Sequence, residues 1–161
     1  MIEYRVTKYD PALRDPRGAY TRDDWTSFGD VGRTFGGVVL TLAEYQRVED
    51  AYVAAALAFL REAGVSSLAV AGLEDHAAAS PPLGEGSVLH LEPLADAIRR
   101  VLRGELWCRF EGAGAFVHLG YDYYMYVGVP EPCPASCALA ARFGLFVEDL
   151  PSPYGQGHEG T

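Results

Sequence analysis

Three features of the sequence predict an α+β domain: a stripe of helical period from Thr41 to Gly64, three closely spaced strand-like runs between Glu105 and Val129, and a strand-period opening at Ile2 to Thr7. The sheet is expected to be mixed, with an antiparallel meander toward the C-terminus. Its helices, a long one over about 42–63 and two shorter ones, should cover mainly one face. Residues 1–150 suit a single domain and 151–161 a flexible tail.

Ile2, Tyr4 and Val6 alternate with Glu3, Arg5 and Thr7, the pattern of a strand with one wet face. From Asp10 to Gly37 the chain is broken by Asp-Pro, Arg-Gly and Gly-Gly, yet Tyr20, Trp25, Phe28, Val31 and Phe35 make it too apolar for a linker. It reads as a packed loop. Thr41-Leu42-Ala43-Glu44 then forms a capping box, Tyr45, Val48, Tyr52, Ala56, Phe59 and Ala63 recur at three- or four-residue steps, and Gly64 supplies a left-handed stop. At 1.5 Å per residue this helix runs about 33 Å, against a radius of gyration of roughly 15 Å. It should cross the whole domain.

Val65 to Leu73 is apolar on both faces, as a covered central strand should be, and strand, helix and strand make a right-handed crossover if the two strands are parallel. Glu74 to Gly86 is a loop and Val88 to Leu91 a short strand. Pro93 opens a second helix that Arg99, Arg100 and Arg103 close ahead of Gly104. Glu105–Glu111, Ala115–Leu119 and Tyr121–Val129 are the meander, since such short links permit only antiparallel neighbours. Ser136 to Phe143 is a short helix ended by Gly144, and Leu145 to Leu150 a last strand.

Charge divides unevenly. Residues 1–35 hold six Lys/Arg and six Asp/Glu, whereas residues 36–161 hold seven basic and sixteen acidic side chains and so carry the entire net charge of −9. Such a surface repels nucleic acid and anionic lipid and speeds encounter with a basic protein. Three cysteines, an opening Met1-Ile2-Glu3 without a basic-apolar leader, and no apolar run near the ~20 residues of a membrane span point to the cytoplasm.

Tyr121-Asp122-Tyr123-Tyr124-Met125-Tyr126 is the most unusual local composition. Alternation puts Tyr123, Met125 and Val127 toward a core and Asp122, Tyr124 and Tyr126 on the other face. Left uncovered, that face is a row of amphipathic rings beside a carboxylate, suited to protein contact; covered, its rings stabilise the sheet as cross-strand pairs. Asp23-Asp24-Trp25 offers a second anchor of the same kind, or a short turn whose Trp is core. Cys133 and Cys137 have three residues between them and no second pair, so neither metal nor cofactor is expected.

In size, acidity and layout over residues 1–150 the chain resembles the small acidic α+β immunity proteins that bacteria keep in the cytosol to neutralise toxins. The resemblance implies a stoichiometric inhibitor of a basic toxin domain such as a nuclease. The alternative is a small hydrolase or transferase that uses the 74–86 loop and His76, with Ser80 close behind.

Overall fold

The computed structural model describes residues 1–75 and 82–155 and places the long helix, α1, at Leu42–Glu62. Half of the capping box forms: Thr41 Oγ1 accepts the Glu44 amide at 3.1 Å, but the Glu44 carboxylate turns to Arg47 at 2.6 and 2.9 Å. A guanidinium fork offers two charge-assisted bonds where a backbone amide offers one. At the other end the Val65 amide bonds the Leu60 carbonyl and the Gly64 amide that of Arg61, with Gly64 at φ 73°. The same closure ends α2 (Leu91–Leu102) at Gly104 and α3 (Pro134–Arg142) at Gly144. Only glycine takes this left-handed position without strain, so all three stops are spelled in the sequence. Pro93 lies in the first turn of α2, where its missing N–H is not needed.

Among the described residues seven strands form one sheet: β1 (Ile2–Thr7), β4 (Ser67–Asp75), β5 (Val88–His90), β6 (Leu106–Gly112), β7 (Ala115–Leu119), β8 (Tyr124–Val129) and β9 (Phe146–Asp149). A separate hairpin pairs β2 (Thr34–Phe35) with β3 (Val38–Val39). The sheet order is β5-β4-β6-β7-β8-β1-β9, and every pairing in it is antiparallel. The α+β class and the meander are as expected; the mixed sheet is not. β1 and β4 do run in the same direction, but β6, β7 and β8 lie between them, so no parallel pair forms. The reason is competition for β1, which pairs with β8 along its whole length and gives its other edge to β9.

Tyr4 faces Val127, Val6 faces Met125, and Val117 and Leu119 continue that row from β7. All six are buried under the helices, with the Tyr4 ring 5.1 Å from Phe59 of α1. Burial of each such side chain contributes about 1.5–3 kcal/mol. The opposite face carries Arg5, Trp107, Arg109, Phe116, His118, Tyr124 and Tyr126. Phe116 lies flat across Gly128, whose added Cβ would come within 2.3 Å of the ring. Where β4 bulges at Gly72 and Leu73, the exposed amides are both taken by the Glu85 carboxylate at 2.8 Å.

Between α1 and the start of β8 sits a buried polar network. Tyr123 has φ 67°, the left-handed region, and its carbonyl accepts from the hydroxyls of Tyr52 and Thr7. Its own hydroxyl lies 2.5 Å from the Tyr45 oxygen and 3.0 Å from the Leu102 carbonyl. Tyr45 in turn donates to Glu49 at 2.8 Å, and this carboxylate, 1% exposed, is held by Arg103 at 2.8 and 3.0 Å and by Arg99 at 3.2 Å.

Candidate functional site

β8 begins at Tyr124, so Asp122 is a turn residue rather than a strand residue, and the left-handed Tyr123 swings its ring into the helices as a core side chain. Tyr124 and Tyr126 do share the outer face of the sheet, as alternation requires. They do not form an open row. Tyr126 is only 9% exposed, with the Tyr154 ring 6.2 Å away, and Tyr124 is half-buried between the guanidinium groups of Arg5 (4.9 Å) and Arg14 (5.8 Å) and the Tyr9 ring (5.3 Å). Glu148 locks those two arginines in place, at 3.0 Å to Arg5 and 2.7 Å to Arg14. Burial alone would raise the Glu148 pKa, but its bonds to Arg14 and Arg5 outweigh that and hold it below the usual carboxylate range.

The second candidate is also inward. Trp25 is 6% exposed against Tyr45 and Tyr123, and its carbonyl accepts the Tyr9 hydroxyl at 3.0 Å. Asp24 accepts the Trp25 amide and pairs with Lys8, while Asp23, which is exposed, accepts the Gly36 amide at 2.8 Å. These carboxylates shape the loop around Trp25. Of the six residues singled out, Asp122 and Asp23 remain at the surface.

The exposed ring of the tyrosine-rich stretch is its first. Tyr121, 65% exposed, follows the turn at Gly120 and stacks on Trp107 of β6 at 5.8 Å and 19°. Trp107 is fixed by its own indole N–H, which bonds the Leu119 carbonyl at 2.8 Å. The Tyr121 hydroxyl donates to Glu74 at 3.3 Å, and burial followed by that carboxylate pushes the phenol pKa up. Beside the pair a cavity of about 330 Å³ is lined by Phe28, Arg103, Leu106, Trp107, Tyr121 and Tyr123. Glu74, Glu105 and Asp122 are exposed around this end of the sheet; Glu105 is paired with Arg100, and among the described residues Glu74 and Asp122 have no ion-pair partner. Trp107 has a sequence signal: alternation through β6 puts it with Arg109 and Glu111 on the wet face, an unusual place for Trp.

A second array closes the outer face. Residues 151–155, the start of the stretch expected to fray, run across it: Tyr154 packs 5.5 Å from Trp107, and Arg109 donates to its carbonyl at 3.4 Å. His118 fastens this strap, with Nδ1 2.6 Å from Ser152 Oγ and Nε2 2.9 Å from Glu111 Oε1. A carboxylate only accepts, so Nε2 carries the proton and Nδ1 takes the Ser152 hydroxyl; Ser152 Oγ then accepts the Tyr154 amide at 3.1 Å. The order serine, histidine, acid is that of an acyl-transfer site, but the histidine is 1% exposed and the serine, itself part of the strap, 8%. His76 and Ser80 of the alternative reading lie outside the described residues.

Burial lowers the His118 pKa and Arg109 adds to this, while Glu111 opposes. The folded value lies below the unfolded one of about 6.5, so this fastening contributes fully above about pH 6.5 and is lost as pH falls through the lowered value. Between about pH 7 and pH 5, Tyr154 amide exchange, corrected for its intrinsic rate, should quicken relative to Val117. A constant ratio would show that the histidine is not what holds the strap.

Among the described residues no three or more His, Cys, Asp or Glu side chains converge to hold a metal ion, and no helix is long and apolar enough to cross a membrane. Cys133 and Cys137 are free thiols whose pKa burial pushes up. Comparison with protein-family models, curated proteins and solved structures finds no match to this chain.

Proposed function

We propose that the chain is a non-catalytic binding protein that docks a basic protein partner at the β6–β8 end of its sheet and neutralises it one to one. The observation that carries this reading is Tyr121, a large ring held flat and outward on an anchored Trp107, with two unneutralised carboxylates beside it. An exposed aromatic with few torsions to freeze is a good interface anchor. The carboxylates add steering, which fits the acidic balance of residues 36–161. A cytoplasmic immunity protein against a basic toxin domain is the class of inhibitor this describes. With Tyr126 and Trp25 buried, the proposal rests on the end of the sheet rather than on its face.

The test is affinity capture with the wild-type chain, then the same capture with Tyr121→Ala and with Glu74→Lys/Asp122→Lys. A basic protein should be retained stoichiometrically and released by salt. Tyr121→Ala should weaken that complex by about 1–3 kcal/mol, and the charge reversal should slow association and flatten its salt dependence. Capture of an acidic partner, or one that Tyr121→Ala binds as tightly, would refute the reading.

A further inference from the structure

The cavity of about 330 Å³ at the β6–β8 end of the sheet is walled by four aromatic side chains, Phe28, Trp107, Tyr121 and Tyr123, and by Leu106 and Arg103. Most of its polar side-chain atoms are already spent. The Trp107 indole N–H is bonded to the Leu119 carbonyl, the Tyr123 hydroxyl to Tyr45 and the Leu102 carbonyl, and the Tyr121 hydroxyl to Glu74. Arg103 is the exception. It gives Nε and Nη2 to Glu49, but among the described residues its Nη1 has no acceptor, and the side chain is 30% exposed where it lies 5.0 Å over the Phe28 ring.

We propose that this cavity binds a neutral phenol ring, which, on the reading of the sheet end as a docking surface, is a tyrosine side chain of the partner. Charge decides against the other candidates. A lysine or arginine that entered would meet the Arg103 guanidinium, and Glu49, the counter-charge there, is already shared between Arg103 and Arg99. An acid would have to pass Glu74, Glu105 and Asp122, all exposed at this end of the sheet. A basic partner therefore keeps its cations at the rim and sends a neutral group inward, the usual division of a protein interface. Volume agrees. At about 30 Å³ per water-sized group the cavity holds roughly eleven heavy atoms, and a tyrosine side chain brings about eight. Four aromatic walls offer tilted and edge-to-face ring contacts. The phenolic oxygen accepts from Arg103 Nη1, which a phenylalanine ring or an indole, a donor only, leaves without an acceptor.

The test uses the wild-type chain, isotopically labelled for amide NMR, and p-cresol, which is the tyrosine side chain as a free molecule. The amides of Leu106, Trp107 and Tyr121 should shift along one saturating curve with half-saturation at about 1 mM or below, while that of Val117, within the sheet, stays in place. Propylguanidinium, the arginine side chain as a free molecule, should bind at least about tenfold more weakly, because its charge is buried beside a like charge. Toluene, which lacks the oxygen, should also bind more weakly than p-cresol. No saturating shift at the three amides, or propylguanidinium or toluene as tight as p-cresol, overturns the proposal. The probe is not a protein, so this result and the docking reading fail separately. Saturation by p-cresol in a chain that captures no basic protein keeps the phenol site and removes the docking surface; a captured partner without p-cresol binding does the reverse.

Discussion

Replacement of Glu49 by alanine should lower the unfolding free energy by about 3–5 kcal/mol, read from the midpoint of a urea titration. The carboxylate is 1% exposed and carries contacts from Arg103, Arg99 and Tyr45. Its loss leaves the Arg103 guanidinium, stacked 5.0 Å over Phe28, without its counter-charge, and leaves Arg99 with Asp50 alone. Deletion of one member of a buried ion pair is costly because the other remains desolvated. Glu49→Gln separates the two parts of the effect: it keeps the shape and an acceptor for Tyr45 but not the charge, and should recover part of the loss. A glutamine as damaging as the alanine would assign the whole effect to charge, and an alanine loss under about 1 kcal/mol would place Glu49 among weakly coupled surface pairs.

Tyr123→Ala should be comparably severe, about 3–5 kcal/mol on the scale of large aromatic truncations in a core. The ring is 3% exposed, 4.9 Å from Trp25, 5.4 Å from Tyr52 and 6.2 Å from Tyr45, so its removal opens a void among three aromatic side chains. Tyr123→Phe keeps the ring and loses only the hydroxyl contacts to Tyr45 and the Leu102 carbonyl, a cost of about 1–3 kcal/mol. Tyr45 joins both sites, so Glu49→Ala and Tyr123→Ala combined should depart from additivity by about 0.5–3 kcal/mol. Strict additivity would mean that the network is two separate contacts.

What the sequence made legible was local. The Thr41 cap, the stripe along α1 and the glycine stops at 64, 104 and 144 each depend on residues a few positions apart, and each formed. The sheet order did not have that property. Strand-helix-strand invites adjacency of β1 and β4, and only the long-range pairing of β1 with β8 and β9 rules it out. The exposure of the tyrosine face was not local either. Alternation placed Tyr124 and Tyr126 on the correct face, but Arg14 and Tyr154, which cover them, come from segments remote in sequence. Tyr121 escapes cover because the turn at Gly120 carries it past the end of the sheet.

Among the described residues the sheet is open rather than closed into a barrel, and its two borders are β5 and β9. Both are short, three and four residues, and β9 ends in Glu148-Asp149. Brief borders with charge at one of them give another copy little template to extend, so the molecule carries its own guard against edge-to-edge fibre growth even at high concentration.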